Sequence, residues 1–225
     1  MSSTANDLAD RLIAARSEDW NAYTRHPFVL ALGDGTLPMP AFRTYLLQDY
    51  LFLIQFARAY ALAVFKSRNL KDMRAAASGV ATILDRELDL HLGFCRSWGI
   101  SEADVERLAE HRATVAYTRF VIDTGLQGDL LDLHVALAPC VIGYAEIASF
   151  LASQQPSVPN NPYAAWIEEY AGDRYAEVVL KARRHLDELA SRVLAPGRFD
   201  EIADIFGKAS RLEADFWDMG LEGAK

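Results

Sequence analysis

The sequence predicts an all-α protein, and three observations lead to this prediction. Apolar residues recur at the three- and four-residue spacing of amphipathic helices along nearly the whole chain. The sustained alternation of apolar and polar residues that is typical of strands is missing. Of the 225 residues, 51% are hydrophobic, and the 11 Phe, 9 Tyr and 4 Trp are enough to fill a thick helical core or to line a pocket.

Proline, glycine and capping residues set the expected ends of the helices. Pro40 suits the first turn of a long helix, and Ser101-Glu-Ala-Asp104 is a capping box that opens a short one. The predicted helices are, in chain order, 6–23 with a Ser/Thr/Asn cap, a short piece after His26-Pro27, 40–67, 71–98, a short helix from 102, 113–124 stopped by Gly125, 129–153, 163–170, 173–194 and 199–217. Residues 155–162 form the clear loop. Because no linker or internal repeat interrupts this order, residues 1–225 are predicted to form a single domain.

Charge and composition argue against several classes of protein. The chain has 31 acidic and 23 basic residues, and this net charge of −8 disfavours both nucleic acid and an anionic membrane surface as partners. Its first residues lack the features of a signal peptide, and no stretch approaches about 18 uninterrupted apolar residues, with 46–60 the closest. Two cysteines, Cys95 and Cys140, do not make a disulfide framework. These features predict a reduced, cytoplasmic protein.

The predicted helix over 129–153 carries an unusual group of residues near its middle. Pro139 removes a backbone donor, which costs about 3 kcal/mol when nothing compensates, and it stands directly before Cys140. Tyr144 lies four residues after Cys140 and shares its face, and Gly143 lets another group approach the backbone closely. One interpretation is a cysteine that only fills space. The other is a kinked helix that presents a thiol and a phenol to a cavity.

Two carboxylates are predicted to lie among large apolar side chains. Asp49 has aromatic and leucine neighbours along its helix, so it needs a hydrogen-bonding partner or a shifted pKa. An arginine partner on an adjacent helix and a role in a site are both open. Glu213 precedes Phe216 and Trp217 by three and four residues. A carboxyl group against aromatic rings tends to have a raised pKa, which suits an acid/base catalyst.

Glu87 and His91 have the i, i+4 spacing of metal ligands on a helix. A di-iron site would need further Glu and Glu-x-x-His contributions, which the other histidines do not supply. A structural ion pair or a core histidine is therefore the preferred interpretation of His91, and no metal is assigned. Motifs for nucleotide binding and for the hydrolase nucleophile elbow are also missing.

Taken together, these residues resemble the thiaminase II (TenA) family, an all-helical branch of the haem-oxygenase-like fold. The resemblance covers residues 26–219 and depends on the order of several local patterns. These patterns are His26-Pro-Phe, Gly33-Asp-Gly-Thr-Leu-Pro38, Leu47-Gln-Asp49, Tyr117-Thr118, Pro139-Cys140 with Tyr144, Trp166-Ile167 with Tyr170, Gly172-Asp173, and Glu213-x-x-Phe216-Trp217. The resemblance implies the fold but neither haem nor another cofactor.

The resemblance also implies roles for individual residues. Cys140 matches the family's nucleophile, Glu213 its general acid/base, and Asp49 the carboxylate that holds the aminopyrimidine ring near the thiol. The other matching side chains, which line the pocket or stack on the substrate, are Tyr117, Tyr144, Tyr170 and Phe216. Phe52 departs from the family, which often has Tyr at this position, so a hydroxyl group near Asp49 is lost.

The implied activity is the hydrolysis of 4-amino-5-aminomethyl-2-methylpyrimidine to the 5-hydroxymethyl pyrimidine and ammonia, in thiamin salvage. Thiamin is left open as a second substrate. Two alternatives are retained: an oxidase on the same scaffold, either di-iron or cofactor-free, and a non-catalytic protein that binds pyrimidines or regulates a partner. The family resemblance further implies a homotetramer built as a dimer of dimers, with a small molecule rather than nucleic acid or membrane as its ligand.

Overall fold

A computed structural model describes residues 7–154 and 160–223, and this part of the chain contains twelve α-helices and no β-strand. The all-α prediction is confirmed. The helices are α1 (Leu8–Ala15), α2 (Ser17–Thr24), α3 (Pro27–Gly33), α4 (Met39–Lys66), α5 (Leu70–Thr82), α6 (Leu88–Ser97), α7 (Glu102–Glu106), α8 (Arg112–Gln127), α9 (Leu130–Gln154), α10 (Ala164–Ala171), α11 (Asp173–Val193) and α12 (Phe199–Glu222). A π-helical turn, Ile83–Glu87, joins α5 to α6.

The chain divides into two compact units. Unit 1 comprises the chain up to Pro38 together with His134–Asp218, and therefore contains α1 to α3, α10, α11 and most of α9 and α12. Unit 2 comprises Met39–Leu133 and the residues from Met219 onward, and therefore contains α4 to α8. The expectation that residues 1–225 form one domain stays a prediction.

The first predicted helix is two helices in the structure. The backbone leaves the helical conformation at Arg16, where φ is −128° and ψ is 40°, so that α1 and α2 are separate. Asp7 caps α1, because its side chain accepts a hydrogen bond of 2.9 Å from the backbone N–H of Asp10. The Ser/Thr/Asn cluster that was expected to form this cap lies outside the described residues, as do residues 155–159 of the predicted loop.

Unit 2 is built on the long helix α4, whose bounds lie within one residue of the prediction. Lys66 at its end donates a hydrogen bond of 2.8 Å to the carbonyl group of Gly128, just after α8. The predicted helix over 71–98 is instead interrupted by the π turn, in which the N–H of Leu88 bonds the carbonyl of Ile83. A π turn contains one residue more than an α-helical turn, and this one lies immediately before α6.

Helix α8 passes through Gly125, which was predicted to stop it, and ends at Gln127. A Cβ atom at Gly125 would lie 2.8 Å from Leu133 and 2.9 Å from Leu62, so two leucine side chains pack on this glycine. Gly125 therefore serves close packing inside unit 2 rather than helix termination. Helix α12 likewise runs beyond its predicted end at Trp217, as far as Glu222.

Helix α9 continues without a break through Pro139. Among the described helices, it is the one that is long and apolar enough to cross a membrane. The sequence alone had instead indicated that residues 46–60 come closest to a membrane span. However, 67% of the most apolar window of α9 is buried inside the protein, which is typical of the core helix of a soluble protein.

Candidate active site

In unit 1, the middle of α9 is held by a tyrosine from α2. The hydroxyl group of Tyr23 donates a hydrogen bond of 3.4 Å to the carbonyl of Pro139. A Cβ atom at Gly143 would lie only 2.2 Å from the Tyr23 ring, so the predicted close approach to the backbone at Gly143 is confirmed. Cys140 lies between these two contacts and is half-buried. The direction and size of a kink at Pro139 stay a prediction.

An aromatic cluster surrounds Tyr144, one turn after Cys140. The Tyr144 ring centroid lies 5.0 Å from that of Tyr170 and 5.7 Å from those of Trp166 and Trp217. Trp166 and Tyr170 also contact each other at 4.8 Å. The structure therefore brings together two of the predicted pocket tyrosines, and adds two tryptophans that have no assigned role. Such ring pairs give about 0.5–1.5 kcal/mol each beyond their burial and form a rigid wall.

Glu213 lies on α12, and only 2% of its surface is exposed. Phe216 and Trp217, one turn further along α12, are also buried, which agrees with the predicted setting of this carboxylate. Trp217 in turn stacks on Phe28 with a centroid distance of 4.9 Å and an interplanar angle of 16°.

The His26-Pro-Phe pattern fixes the position of Phe28 beside Trp217. Nδ1 of His26 accepts a hydrogen bond of 3.2 Å from the backbone N–H of Phe28 and so caps α3. Nε2 of His26 lies 3.2 Å from the Asp218 carboxylate, on α12. Burial lowers the pKa of His26, although Asp218 acts in the opposite direction. Neutral His26 therefore links the start of α3 to α12.

In unit 2, Asp49 is buried on α4 and its partner is a histidine rather than the arginine considered from the sequence. Oδ2 of Asp49 lies 2.7 Å from Nε2 of His91, on α6. The same oxygen accepts a hydrogen bond of 3.2 Å from the hydroxyl group of Tyr45. Tyr45 thus supplies a hydroxyl group to this carboxylate, which Phe52 cannot.

His91 is a core histidine, as the sequence indicated, and its side chain is 1% exposed. Nδ1 of its ring lies 2.7 Å from the backbone carbonyl of Glu87, at the end of the π turn. Burial lowers the pKa of His91, but the hydrogen bond and charge of Asp49 and the Glu87 carbonyl outweigh it, so the pKa is raised. The pairing of His91 with Asp49 was not predicted from the sequence, because the i, i+4 spacing of Glu87 and His91 pointed to the Glu87 side chain instead.

Phe52 and Tyr117 also meet in unit 2, with ring centroids 5.0 Å apart. Both residues are buried, and Phe52 stacks further on Phe56 at 5.2 Å. In residues 7–154 and 160–223, no group of three or more His, Cys, Asp or Glu side chains could hold a metal ion. The joint action of Cys140 and Glu213 with Asp49 on one ligand stays a prediction.

The sequence profile of the TENA/THI-4/PQQC family matches residues 14–223. The chain belongs to this family. An uncharacterized protein of Haemophilus influenzae is 40% identical over 96% of this chain and 99% of its own. A protein of Halalkalibacterium halodurans named aminopyrimidine aminohydrolase is 36% identical over 89% of both chains.

Solved structures of similar proteins have the same fold. A crystal structure described as a TenA family transcription regulator from Silicibacter sp. TM1040 is 40% identical, with a TM-score of 0.91 over 98% of this chain and 99% of that one. A more distant structure from Shewanella denitrificans, described as having a heme oxygenase-like fold, is 15% identical with a TM-score of 0.72 over 97% of this chain and 94% of that one. The predicted haem-oxygenase-like fold and the resemblance to TenA proteins are confirmed.

Proposed function

We propose that this TenA protein is an aminopyrimidine aminohydrolase of thiamin salvage, a hydrolase that acts on a C–N bond. Its substrate is 4-amino-5-aminomethyl-2-methylpyrimidine, and its products are the 5-hydroxymethyl pyrimidine and ammonia. The name of the Halalkalibacterium halodurans relative supports this activity. We further propose that the protein acts in the cytoplasm as a homotetramer, a dimer of dimers.

The observation that carries the proposal is the exposure of Cys140. From Leu131 to Tyr144, every residue is buried except Cys140, which is partly accessible. A cysteine that only filled core space would be as buried as its neighbours. An accessible thiol in the middle of a buried helix suits a nucleophile, because a thiolate must reach its electrophile.

The proposed reaction uses the thiol of Cys140 and the carboxyl group of Glu213. Glu213 protonates a ring nitrogen, which makes the pyrimidine electrophilic, and the Cys140 thiolate adds to a ring carbon. The electron pair then leaves with the amine, which takes up a proton and departs as ammonia, so that an exocyclic methylene remains. Water adds to this methylene and gives up one proton, and the aromatic ring is restored when the thiolate leaves and the ring nitrogen returns its proton to Glu213.

The remaining candidate residues hold the ring during these steps. Asp49 accepts hydrogen bonds from N–H groups of the aminopyrimidine, and its burial makes such a bond stronger than in water. Phe216 stacks on the flat ring. The other side chains proposed to line the site are Phe52, Tyr117, Tyr144 and Tyr170.

Substitution of each cysteine tests the proposal. Cys140→Ala should abolish release of ammonia and hydroxymethylpyrimidine, since the nucleophile is lost, while the fold remains intact. Cys95→Ala is the matched control, because Cys95 is fully buried in unit 2 and should not affect turnover. Retained turnover in Cys140→Ala, measured by product formation, would remove this thiol from the mechanism.

A regulatory protein that binds pyrimidines without converting them is the second candidate. The description of the Silicibacter structure as a transcription regulator favours it. Tight binding of the aminopyrimidine with no product after long incubation would support this candidate over the hydrolase. The same assay with thiamin decides whether thiamin is a second substrate, and light scattering gives the number of chains in the assembly.

A further inference from the structure

Both ring nitrogens of His91 face groups that can only accept hydrogen bonds. Nδ1 lies 2.7 Å from the backbone carbonyl of Glu87, and Nε2 lies 2.7 Å from Oδ2 of Asp49. A carbonyl oxygen has no proton to give, and an ionised carboxylate has none either. A neutral imidazole carries a single N–H and cannot donate to both. Together, His91 and Asp49 must therefore hold one proton more than a neutral histidine beside an ionised aspartate.

The contacts of Asp49 indicate where this extra proton lies. Oδ2 accepts from the hydroxyl group of Tyr45 as well as facing His91, so this oxygen is surrounded by donors, and donors stabilise a carboxylate. The charged side chains that act on His91 are Asp49 from α4 and Glu87 from the π turn, and both are acidic. These surroundings favour an imidazolium beside a carboxylate over two neutral groups.

The second oxygen of Asp49 is in a different position. Among residues 7–154 and 160–223, none donates a hydrogen bond to Oδ1, whereas both contacts of this side chain fall on Oδ2. The carboxylate is thus anchored through one oxygen and can accept hydrogen bonds from a ligand through the other. An anchored acceptor loses less conformational entropy when a ligand binds.

We propose that His91 is the positioning residue of Asp49: it carries a proton on each ring nitrogen and keeps Asp49 ionised, with Oδ1 available to the N–H groups of the aminopyrimidine. The role of the ligand in this statement rests on the proposed function. The π turn contributes the Glu87 carbonyl that fixes the Nδ1 proton. π turns are frequently found at functional sites.

Nitrogen NMR of the histidine ring tests the protonation state without an activity measurement. In the wild-type protein at about pH 8, above the ordinary histidine pKa of 6.5, His91 should give two N–H signals of the imidazolium type. The signals are assigned by their loss in His91→Gln. A single N–H on His91, as in a neutral ring, would overturn the proposal.

Kinetics of His91→Gln test the positioning role. Glutamine can donate one hydrogen bond to Asp49 but carries no charge, so the carboxylate keeps a donor and loses its cationic partner. We expect the KM for the aminopyrimidine to rise about tenfold or more relative to wild type, because the carboxylate is held less firmly. The change in kcat should be smaller. A fall in kcat as large as the rise in KM would indicate a merely structural role and would contradict the proposal.

The matched control is the same substitution at His111. This half-buried histidine caps α8 in the same unit, where its Nδ1 accepts from the N–H of Ala113 at 3.2 Å. His111→Gln should leave KM unchanged. If wild-type protein releases no ammonia, the proposed hydrolase activity fails, whereas the NMR signals still decide the state of His91. If wild-type protein is active but His91 is neutral, only this inference fails.

Discussion

At the scale of single residues, Glu213 is a carboxylate that is 2% exposed and precedes two buried rings on α12. In Glu213→Gln, shape is kept but the exchangeable proton is lost, so we expect kcat to fall by about 100- to 10,000-fold, with a smaller change in KM. Steady-state release of ammonia gives both constants. Asp215→Asn, an exposed position on the same helix, is the control and should change neither. A Glu213→Gln variant with near wild-type kcat would assign the proton transfer to another group.

Phe52 is the residue at which this chain departs from the pattern that it resembles. Its ring packs between Tyr117 and Phe56, and Tyr45 supplies a hydroxyl group to Asp49 from the preceding turn. We therefore expect Phe52→Tyr to leave kcat/KM similar or to raise it, measured side by side with the aminopyrimidine and with thiamin. Phe56→Tyr places the same extra oxygen one turn away and controls for the cost of a core hydroxyl group. A large loss specific to Phe52→Tyr would mean that this ring is placed differently from the family's tyrosine.

At the scale of secondary-structure elements, the contact of Tyr23 with α9 depends on the missing side chain of Gly143. In Gly143→Ala, the new methyl group would lie 2.2 Å from the Tyr23 ring, so we expect a loss of about 1–3 kcal/mol in the free energy of unfolding. Gly93→Ala in α6 is the control. Its nearest atom, on the Arg96 side chain, is 4.0 Å away, so this change should stabilise the protein by up to about 1 kcal/mol. Denaturant unfolding of both variants measures the difference, and equal effects would contradict the account.

Elements with local end signals could be predicted from the sequence, and those fixed by distant residues could not. Pro40 gives the start of α4 and the capping box at Ser101 gives α7. Gly125 was misread because Leu62, one of the two leucines that pack on it, lies on a different helix far back in the chain. The π turn was missed because one extra residue leaves the apolar pattern almost unchanged. The partner of Asp49 was missed because His91 is 42 residues away, and its local pattern pointed elsewhere.

At the scale of the whole molecule, two buried histidines make stability depend on pH in opposite directions. His26 has a lowered pKa in the folded state, so its contribution is present above pH 6.5, the unfolded value, and is lost as the pH falls through the folded pKa. His91 has a raised pKa, so its contribution is present below 6.5 and is lost as the pH rises through the folded pKa.

Thermal unfolding across this pH range tests these signs. His26→Gln should lower the Tm at neutral pH, since a helix cap of about 1 kcal/mol is lost, and should flatten the decline of Tm below pH 6.5. His91→Gln should instead flatten a decline of Tm on the alkaline side. Wild-type and His26→Gln curves that run parallel below pH 6.5 would show that His26 does not titrate with unfolding.

The central claim is that the thiol of Cys140 and the carboxylate of Asp49 serve one small molecule, and alkylation read by mass spectrometry tests it most directly. An alkylating reagent should modify Cys140, which is partly accessible, and spare Cys95, which is buried and whose pKa is raised by that burial. Hydroxymethylpyrimidine should protect Cys140 in the wild-type protein, and Asp49→Asn should remove this protection. Protection that is absent in wild type at saturating ligand, or that is unchanged in Asp49→Asn, would contradict the account.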